Sequence, residues 1–484
     1  MAVDTMVTAP RTAPSTRHRY WVAAIGLLAA SAYALLGLVR LATYRATTFD
    51  LVIVDQAVRN YAKFLPGYIP SIGAWHGRGL DYPQIADHFS PIYALLAPFY
   101  WVHDGPASLI VAQALLFAAA IPFVWLFTRR VLGTTPAYLV SIAYALAWPI
   151  AQAANFDVHE VMFVPLLTAV AIERYTAGRH LPAYLALFGL LLVKEDMGLM
   201  VAGFGAFAFV TGDRLRGGCI AAAGLVAAVL TRGFIMPAVG GDLGDFWAYG
   251  HFGPDPASAL ISMITDPVTT LLTPLDSAVK VDTLAFLFWP ALLLSLLSPL
   301  TLMALPHLAV RFLSSWSQWW MTDYQYNAFT VVILLLAGVD GLARLLRWTR
   351  RSDDRALKLA WSAAVLAVAV TLVPRFAFDQ LITPEFYRGD PVKTAAAAEA
   401  AAKVPDGALV ETVNYLGPAL TDRTTVILWR PRANYPAPWV VADTQRWEFP
   451  FGSLEEQGET VDNLLANGYQ QVFERDGIVV LHKP

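Results

Sequence analysis

The sequence predicts an all-α polytopic membrane protein of about eleven transmembrane helices, N-terminus in and C-terminus out, with a small extracytoplasmic α/β domain at its C-terminal end. Of the 484 residues 57% are hydrophobic and only 15% charged, with a mean hydropathy of +0.50, whereas a soluble chain keeps about a quarter of its residues charged. Apolar runs near the ~20 residues that a spanning helix needs recur along the chain. The densest basic clusters fall at alternate ends of those runs, as retention of Lys and Arg in the cytoplasm requires. The net charge of −3 argues against a nucleic-acid partner. Cys219 is the sole cysteine, so no intrachain disulfide can form.

Residues 1–19, rich in Thr, Pro and Arg, read as a disordered cytoplasmic tail. The run 20–41 is too long for the apolar core of a signal peptide and lacks a small-residue cleavage site, so it reads as a retained first span. A first outer loop covers 42–105. Within it, 89–103 is interrupted by Pro91 and Pro98 and reads as a re-entrant or interfacial piece. Further spans are placed near 106–128, 136–153, 160–173, 181–193, 197–211, 218–239, 283–298, 300–314, 328–346 and 358–376, which bounds the transmembrane domain at 20–378. This order gathers "TRR" (128–130), "ERYTAGR" (173–179), "DRLR" (213–216) and "RLLRWTRR" (344–351) on the cytoplasmic side.

From 379 to 484 the composition changes. "TAAAAEAAAKVPDG" reads as a helix closed by a turn, "ALVETV", "TTVILW" and "PWVVAD" as strands, and "LEEQGETVDNLLANG" as a helix stopped by Gly468. "YQQVFERDGIVVLHKP" reads as a hairpin with Asp476-Gly477 at its tip. No phosphate-loop, dinucleotide or zinc-protease motif occurs there, so the domain reads as a lid or partner-binding module.

On this topology the acids and histidines collect at the outer ends of the spans. "NFDVHE" (155–160) packs Asp157, His159 and Glu160 into one turn, a set that can ligate a divalent cation such as Mg or Mn or exchange protons. Its structural alternative is a helix cap made by Asp157. "KED" places Lys194, Glu195 and Asp196 at a membrane boundary, where three ionisable groups are costly and point to function. Lys194 can pair within the triplet or meet a ligand phosphate; a hairpin tip wetted by headgroups is the alternative. Asp87 and His88 are adjacent, and adjacent ligands rarely share a metal alone. Trp319 and Tyr324, in "SSWSQWWMTDYQY", suit a sugar-stacking platform or an interfacial aromatic belt.

One stretch carries the rest of the argument. "TTFDLVIVDQAVRN" (47–60) sets Asp50 and Asp55 on either side of a hydrocarbon patch. "FDLVIVDQAVRN", "DHFSPIYALLAPFY", "FDVHEVMFVPLL" and "VKEDMGL", in that order, resemble the successive motifs of the bacterial membrane-protein family catalogued as domain of unknown function 2079. The resemblance runs from about residue 45 to the terminal "GYQQVFERDGIVVL". That family resembles the C-type glycosyltransferase superfamily, multi-span enzymes that take sugars from polyprenyl-phosphate carriers outside the cytoplasmic membrane and carry an acid in the first outer loop.

The resemblance implies Asp50 as that acid, with Asp55 as second choice. It also implies inverting transfer to an envelope glycan, lipid or protein acceptor in the bacterial plasma membrane. Asp50 would serve as base, while Lys194, Arg232 or a cation held by Asp157, His159 and Glu160 would meet the departing phosphate. A non-catalytic scaffold binding lipid-linked glycan and a transporter or flippase are the other two classes. The acids here are five apart and, at about 100° per residue on a helix, do not share a face. Asp55 has Arg59 and Lys63 at four-residue spacing, expected on the wetted side of a surface helix, whereas Asp50 has no such neighbour. Asp50, Asp87, His88, Asp157, His159, Glu160 and Glu195 are expected to line one outward cavity.

Overall fold

The computed structural model describes residues 15–242, 244, 246–432 and 435–484. Residues 1–14 of the expected tail lie outside the described residues, and the first helix, Thr16–Ala42, already includes the last four tail positions. Five helical segments are long and apolar enough to cross a bilayer by length and composition: Thr16–Ala42, Pro106–Val131, Thr134–Asn155, Arg214–Ala238 and Arg355–Arg375. Other expected spans form shorter helices, Val164–Thr176, His180–Leu191 and Met197–Val210. Val331–Trp348 is 18 residues long and buries Asp340, which accepts bonds from Arg344 and Ser298.

Two expected spans are not continuous helices. The segments 283–298 and 300–314 become a helix at Ala278–Phe288, 3-10 turns at Trp289–Ala291, Leu294–Leu297 and Pro299–Met303, and a helix at Leu305–Phe312. Pro290, Pro299 and Pro306 each remove a backbone donor and disfavour a helix running through them. Leu292 and Leu293 both take left-handed backbone, φ 52° and 60°, so no helix runs from the Trp289–Ala291 turn into the Leu294–Leu297 turn. Hydropathy reads these leucines as membrane-long runs because it is blind to backbone geometry.

The chain forms two compact units. One comprises residues up to Tyr33, Gln113–Phe156 and Glu160–Asp379; the other comprises Ala34–Ala112, Asp157–His159 and Gln380–Pro484. In the first, the Met197–Val210 and Arg214–Leu230 helices approach through small residues. A Cβ at Gly205 or Gly217 would collide with the facing backbone, as in close-packed membrane helix pairs.

The second unit joins the first loop to the C-terminal residues. The loop folds into a π-turn at Thr48–Val52, helices Ile53–Ala62 and Pro70–His76, and short helical pieces at Gln84–Asp87, Pro91–Leu96 and Ala97–Val102. The C-terminal part is a five-stranded sheet of β1 (Leu409–Thr412), β2 (Thr425–Leu428), β3 (Trp439–Asp443), β4 (Gln470–Arg475) and β5 (Ile478–His482), in the order β2-β1-β3-β5-β4. β1 runs parallel to both β2 and β3, while β5 pairs antiparallel with β3 and β4. The β4–β5 tip uses Asp476 and Gly477 at positive φ, as a two-residue hairpin turn requires. The helices Pro391–Ala401 and Leu454–Ala466 cover the sheet, with Ala396, Ala400 and Val461 joining Val410, Val440 and Val480 in one core. From β1 the chain passes to β2 on one side and later to β3 on the other. The carboxyl ends of β1 and β3 therefore flank a switch point, where open α/β sheets receive ligands.

Candidate functional site

In the second unit the segment carrying Asp50 docks at that switch point. Thr47 is extended, and the chain then winds into the π-turn, leaving the amides at its start without intrahelical partners. Asn414, two residues beyond β1, supplies acceptors. Its carbonyl takes the Thr48 N–H at 2.6 Å and the Thr48 hydroxyl at 2.7 Å, and its Oδ1 takes the Phe49 N–H at 3.0 Å. Gly417 lies so near Thr48 Oγ1 that any side chain there would collide with it. The place an α/β sheet offers to a ligand is thus occupied by the chain's own first loop.

Asp157 secures the preceding residue. Its Oδ2 accepts the Thr47 N–H at 2.9 Å and the Thr47 hydroxyl at 2.6 Å, from a left-handed backbone with φ 49° that Asp tolerates better than most residues. Two residues on, His159 Nε2 stands 3.0 Å from Asp50 Oδ1. The Asp50 side chain is 25% exposed and that of His159 11%, so the pair is partly sheltered yet reachable. Burial pushes the Asp157 carboxyl up to about 6, and the neighbouring Asp50 charge adds to this, while Arg40, Thr47 and His159 pull the other way.

Asp55 has a different environment. It is fully buried and receives Arg59 through two bonds of 3.1 Å, the Tyr100 hydroxyl at 2.5 Å and the Thr421 hydroxyl at 2.8 Å. Burial raises its pKa in spite of these donors. The pairing with Arg59 is as expected, but the wetted side is not. The polar face of the Ile53–Ala62 helix turns toward the C-terminal strands, where Gln56 also bonds the Val426 carbonyl at 2.7 Å. Lys63 alone of the three charged residues is exposed. In the same unit Asp87 is buried with Oδ1 3.9 Å from His76 Nε2. His88 is tied through its backbone to Gln84, at 3.0 and 2.7 Å.

In the first unit the remaining expected groups face polar or charged partners. Lys194 Nζ meets Glu160 Oε1 at 2.8 Å, Arg232 faces Glu195 at 3.9 Å, and Asp196 faces His307 at 3.5 Å. Burial works against the Lys194 ammonium, but Glu160, Glu195 and Asp196 more than offset it and hold it protonated. Trp319 packs edge-on against Trp316 and Tyr249, and Tyr324 against Phe156.

A family model described as "Predicted membrane protein (DUF2079)" matches residues 40–480. The chain belongs to that family. No curated protein matches it. Its fold is similar to that of ArnT from Cupriavidus metallidurans. The crystal structure of ArnT bound to undecaprenyl phosphate aligns with a TM-score of 0.54 at 14% identity over 97% of this chain and 98% of that one. Apo ArnT aligns with a TM-score of 0.52 at 13% identity over 96% and 98%. At such identities the likeness is one of fold.

In this DUF2079 protein the expected metal cluster does not gather. Asp157 turns to Thr47, His159 to Asp50 and Glu160 to Lys194, and among the described residues no three His, Cys, Asp or Glu side chains are placed to share an ion. Sequence reasoning missed Asn414, Tyr100 and Thr421, which carry no local signal. It also missed His307 and the fully buried Arg311, which bonds the Trp319 carbonyl and Asn327 Oδ1 at 2.7 Å. Those two were legible as ionisable residues four apart in an apolar helix.

Proposed function

We propose that the protein is a membrane glycosyltransferase of C-type architecture, moving a sugar from a polyprenyl-phosphate carrier to an acceptor hydroxyl on the outer face of the bacterial plasma membrane. The observation that carries this reading is the Asp50–His159 pair, a reachable carboxylate in the first loop held 3.0 Å from an imidazole. The family fold, and an ArnT structure that contains undecaprenyl phosphate, support the choice of carrier.

In the proposed reaction the acceptor oxygen attacks the anomeric carbon from the face opposite the phosphate. The bond from that carbon to the phosphate oxygen breaks, its electron pair leaves with the polyprenyl phosphate, and the acceptor proton passes to Asp50. One displacement inverts the anomeric centre. His159 orients the carboxylate and stabilises its charge before transfer. Lys194 and Arg232 are kept as the proposed partners of the carrier's phosphate. No step runs through a metal ion, because the side chains expected to hold one turn to separate partners.

The test is release of polyprenyl phosphate from a polyprenyl-phosphate sugar in membranes containing the protein or its Asp50→Asn form. Release that depends on Asp50 is expected. Equal release from both forms would remove the base, and a glycan-binding scaffold would then fit better.

A further inference from the structure

A cavity of about 310 Å³ opens in the first unit between the start of the Thr16–Ala42 helix and the Ile121–Val131 helix. Its walls are hydrocarbon and indole, from Val22, Pro122, Trp125 and Leu126, and its polar lining comes from His18 and Arg19. His18 Nδ1 lies 2.8 Å from the Tyr138 hydroxyl, with its ring 5.6 Å from that of Trp125. The Arg129 guanidinium sits 5.2 Å over the Trp125 ring. None of the described residues lining the cavity is acidic. An apolar pocket between membrane helices is therefore lined by one arginine and one histidine, with Arg129 stacked on its Trp125 wall and Tyr138 bonded to His18.

We propose that this cavity binds an anionic phospholipid, whose phosphate meets Arg19 and Arg129 and whose acyl chain enters along Val22 and Leu126. Charge decides the headgroup, since a zwitterionic lipid would bring an ammonium group to a cluster of cations. The hydrocarbon walls decide against a free phosphate, which has no use for them. Basic pockets between membrane helices take acidic headgroups by the same logic, and Trp and Tyr are at home where chains meet headgroups. The volume, at the small end of ligand sites of about 300–1,000 Å³, admits the glycerophosphate and the first part of one chain. The proposal does not depend on the transferase reading.

The experiment uses the full-length protein, stripped of lipid in detergent and titrated with phosphatidylglycerol, phosphatidylcholine or inorganic phosphate. Occupancy is read by native mass spectrometry. One phosphatidylglycerol should bind saturably, at least tenfold more tightly than phosphatidylcholine and less tightly as salt rises. Arg19→Gln should weaken it about fivefold and Arg19→Gln with Arg129→Gln about 25-fold, while Arg19→Lys should stay within about twofold because the charge is kept. Leu126→Trp, which fills the cavity and leaves every charge in place, should exclude the lipid. Equal binding of phosphatidylcholine, full competition by inorganic phosphate, or normal binding by Leu126→Trp would each overturn the proposal.

Discussion

Asn414 bonds the Thr48 N–H through its main-chain carbonyl at 2.6 Å and the Phe49 N–H through its side chain at 3.0 Å. A residue of the C-terminal domain thereby fixes the two peptide groups that precede Asp50. Asn414→Leu should leave the Phe49 donor without that acceptor, at about 1–3 kcal/mol, and slow transfer roughly 10- to 100-fold through misplacement of the carboxylate. Asn414→Asp keeps an acceptor and should recover most of both. Transfer rates and melting temperatures of the two variants decide; equal loss in both would show that Asn414 does not act through that bond.

Asp55→Asn should behave as a folding defect. It leaves Arg59 with the exposed Asp104 as its remaining carboxylate, and breaking a buried pair costs up to about 3–5 kcal/mol. Asp50→Asn, at a partly exposed site, should change the melting temperature little. Replacing both partners, as Asp55→Asn with Arg59→Met, should restore part of the lost stability. If Asp55→Asn melts like wild type but no longer transfers, Asp55 belongs to the chemistry.

The Asp157 carboxyl, raised from 3.8 to about 6 by burial, keeps its proton in the folded protein after an unfolded chain would release it. The stability this contributes is present below about pH 4 and is lost as pH rises through about 6. Asp157→Asn keeps an oxygen for Thr47 and never ionises. It should gain on wild type across that window by up to ~3 kcal/mol. Thermal melts of the two at pH 4.5, 6 and 7.5 test this; a constant difference would mean that Asp157 ionises normally.

Gly417→Ala places a methyl group against Thr48 Oγ1 and Val426. Overpacking of this kind costs about 1–3 kcal/mol. Because the obstructed atom belongs to the turn bearing Asp50, transfer should fall by more than the loss of folded protein explains. Thr48→Ala in the same chain removes the obstructing hydroxyl and should relieve part of the defect.

A periplasmic reporter fused after Pro484 should be active, and one inserted between Arg350 and Arg355 should be silent. The expectation rests on four basic clusters falling on one side of the span order. The reverse pattern would put Asp50 on the cytoplasmic face and end the transferase proposal.

What the sequence made legible is what local pattern encodes. The five strands, the Asp476-Gly477 tip and the helix ended near Gly468 follow from short runs rich in β-branched residues and from turn chemistry. The Asp55–Arg59 pair follows from four-residue spacing. The burial of that pair did not, because it depends on Thr421, which lies 366 residues away in the chain. The Asp50–His159 contact, across 109 residues, is likewise invisible to periodicity, although each motif stands out by its own ionisable residues. The broken segments at 283–298 and 300–314 show the complementary failure, where hydropathy outvoted three prolines.

The docking of Thr48 on Asn414 has a bearing on how the protein is made. Translation proceeds at about 5–20 residues per second, so the ribosome needs roughly 20–70 s to travel from one partner to the other, a separation of 366 residues. Throughout that interval the first helix can already be in the bilayer while its acid has no scaffold. A nascent chain that has not yet delivered Asn414 therefore lacks the acceptors that hold Thr48 and Phe49 ahead of Asp50. The turn that bears Asp50 is thus among the last local structures of the described chain to gain its partners, although it is among the first to be made.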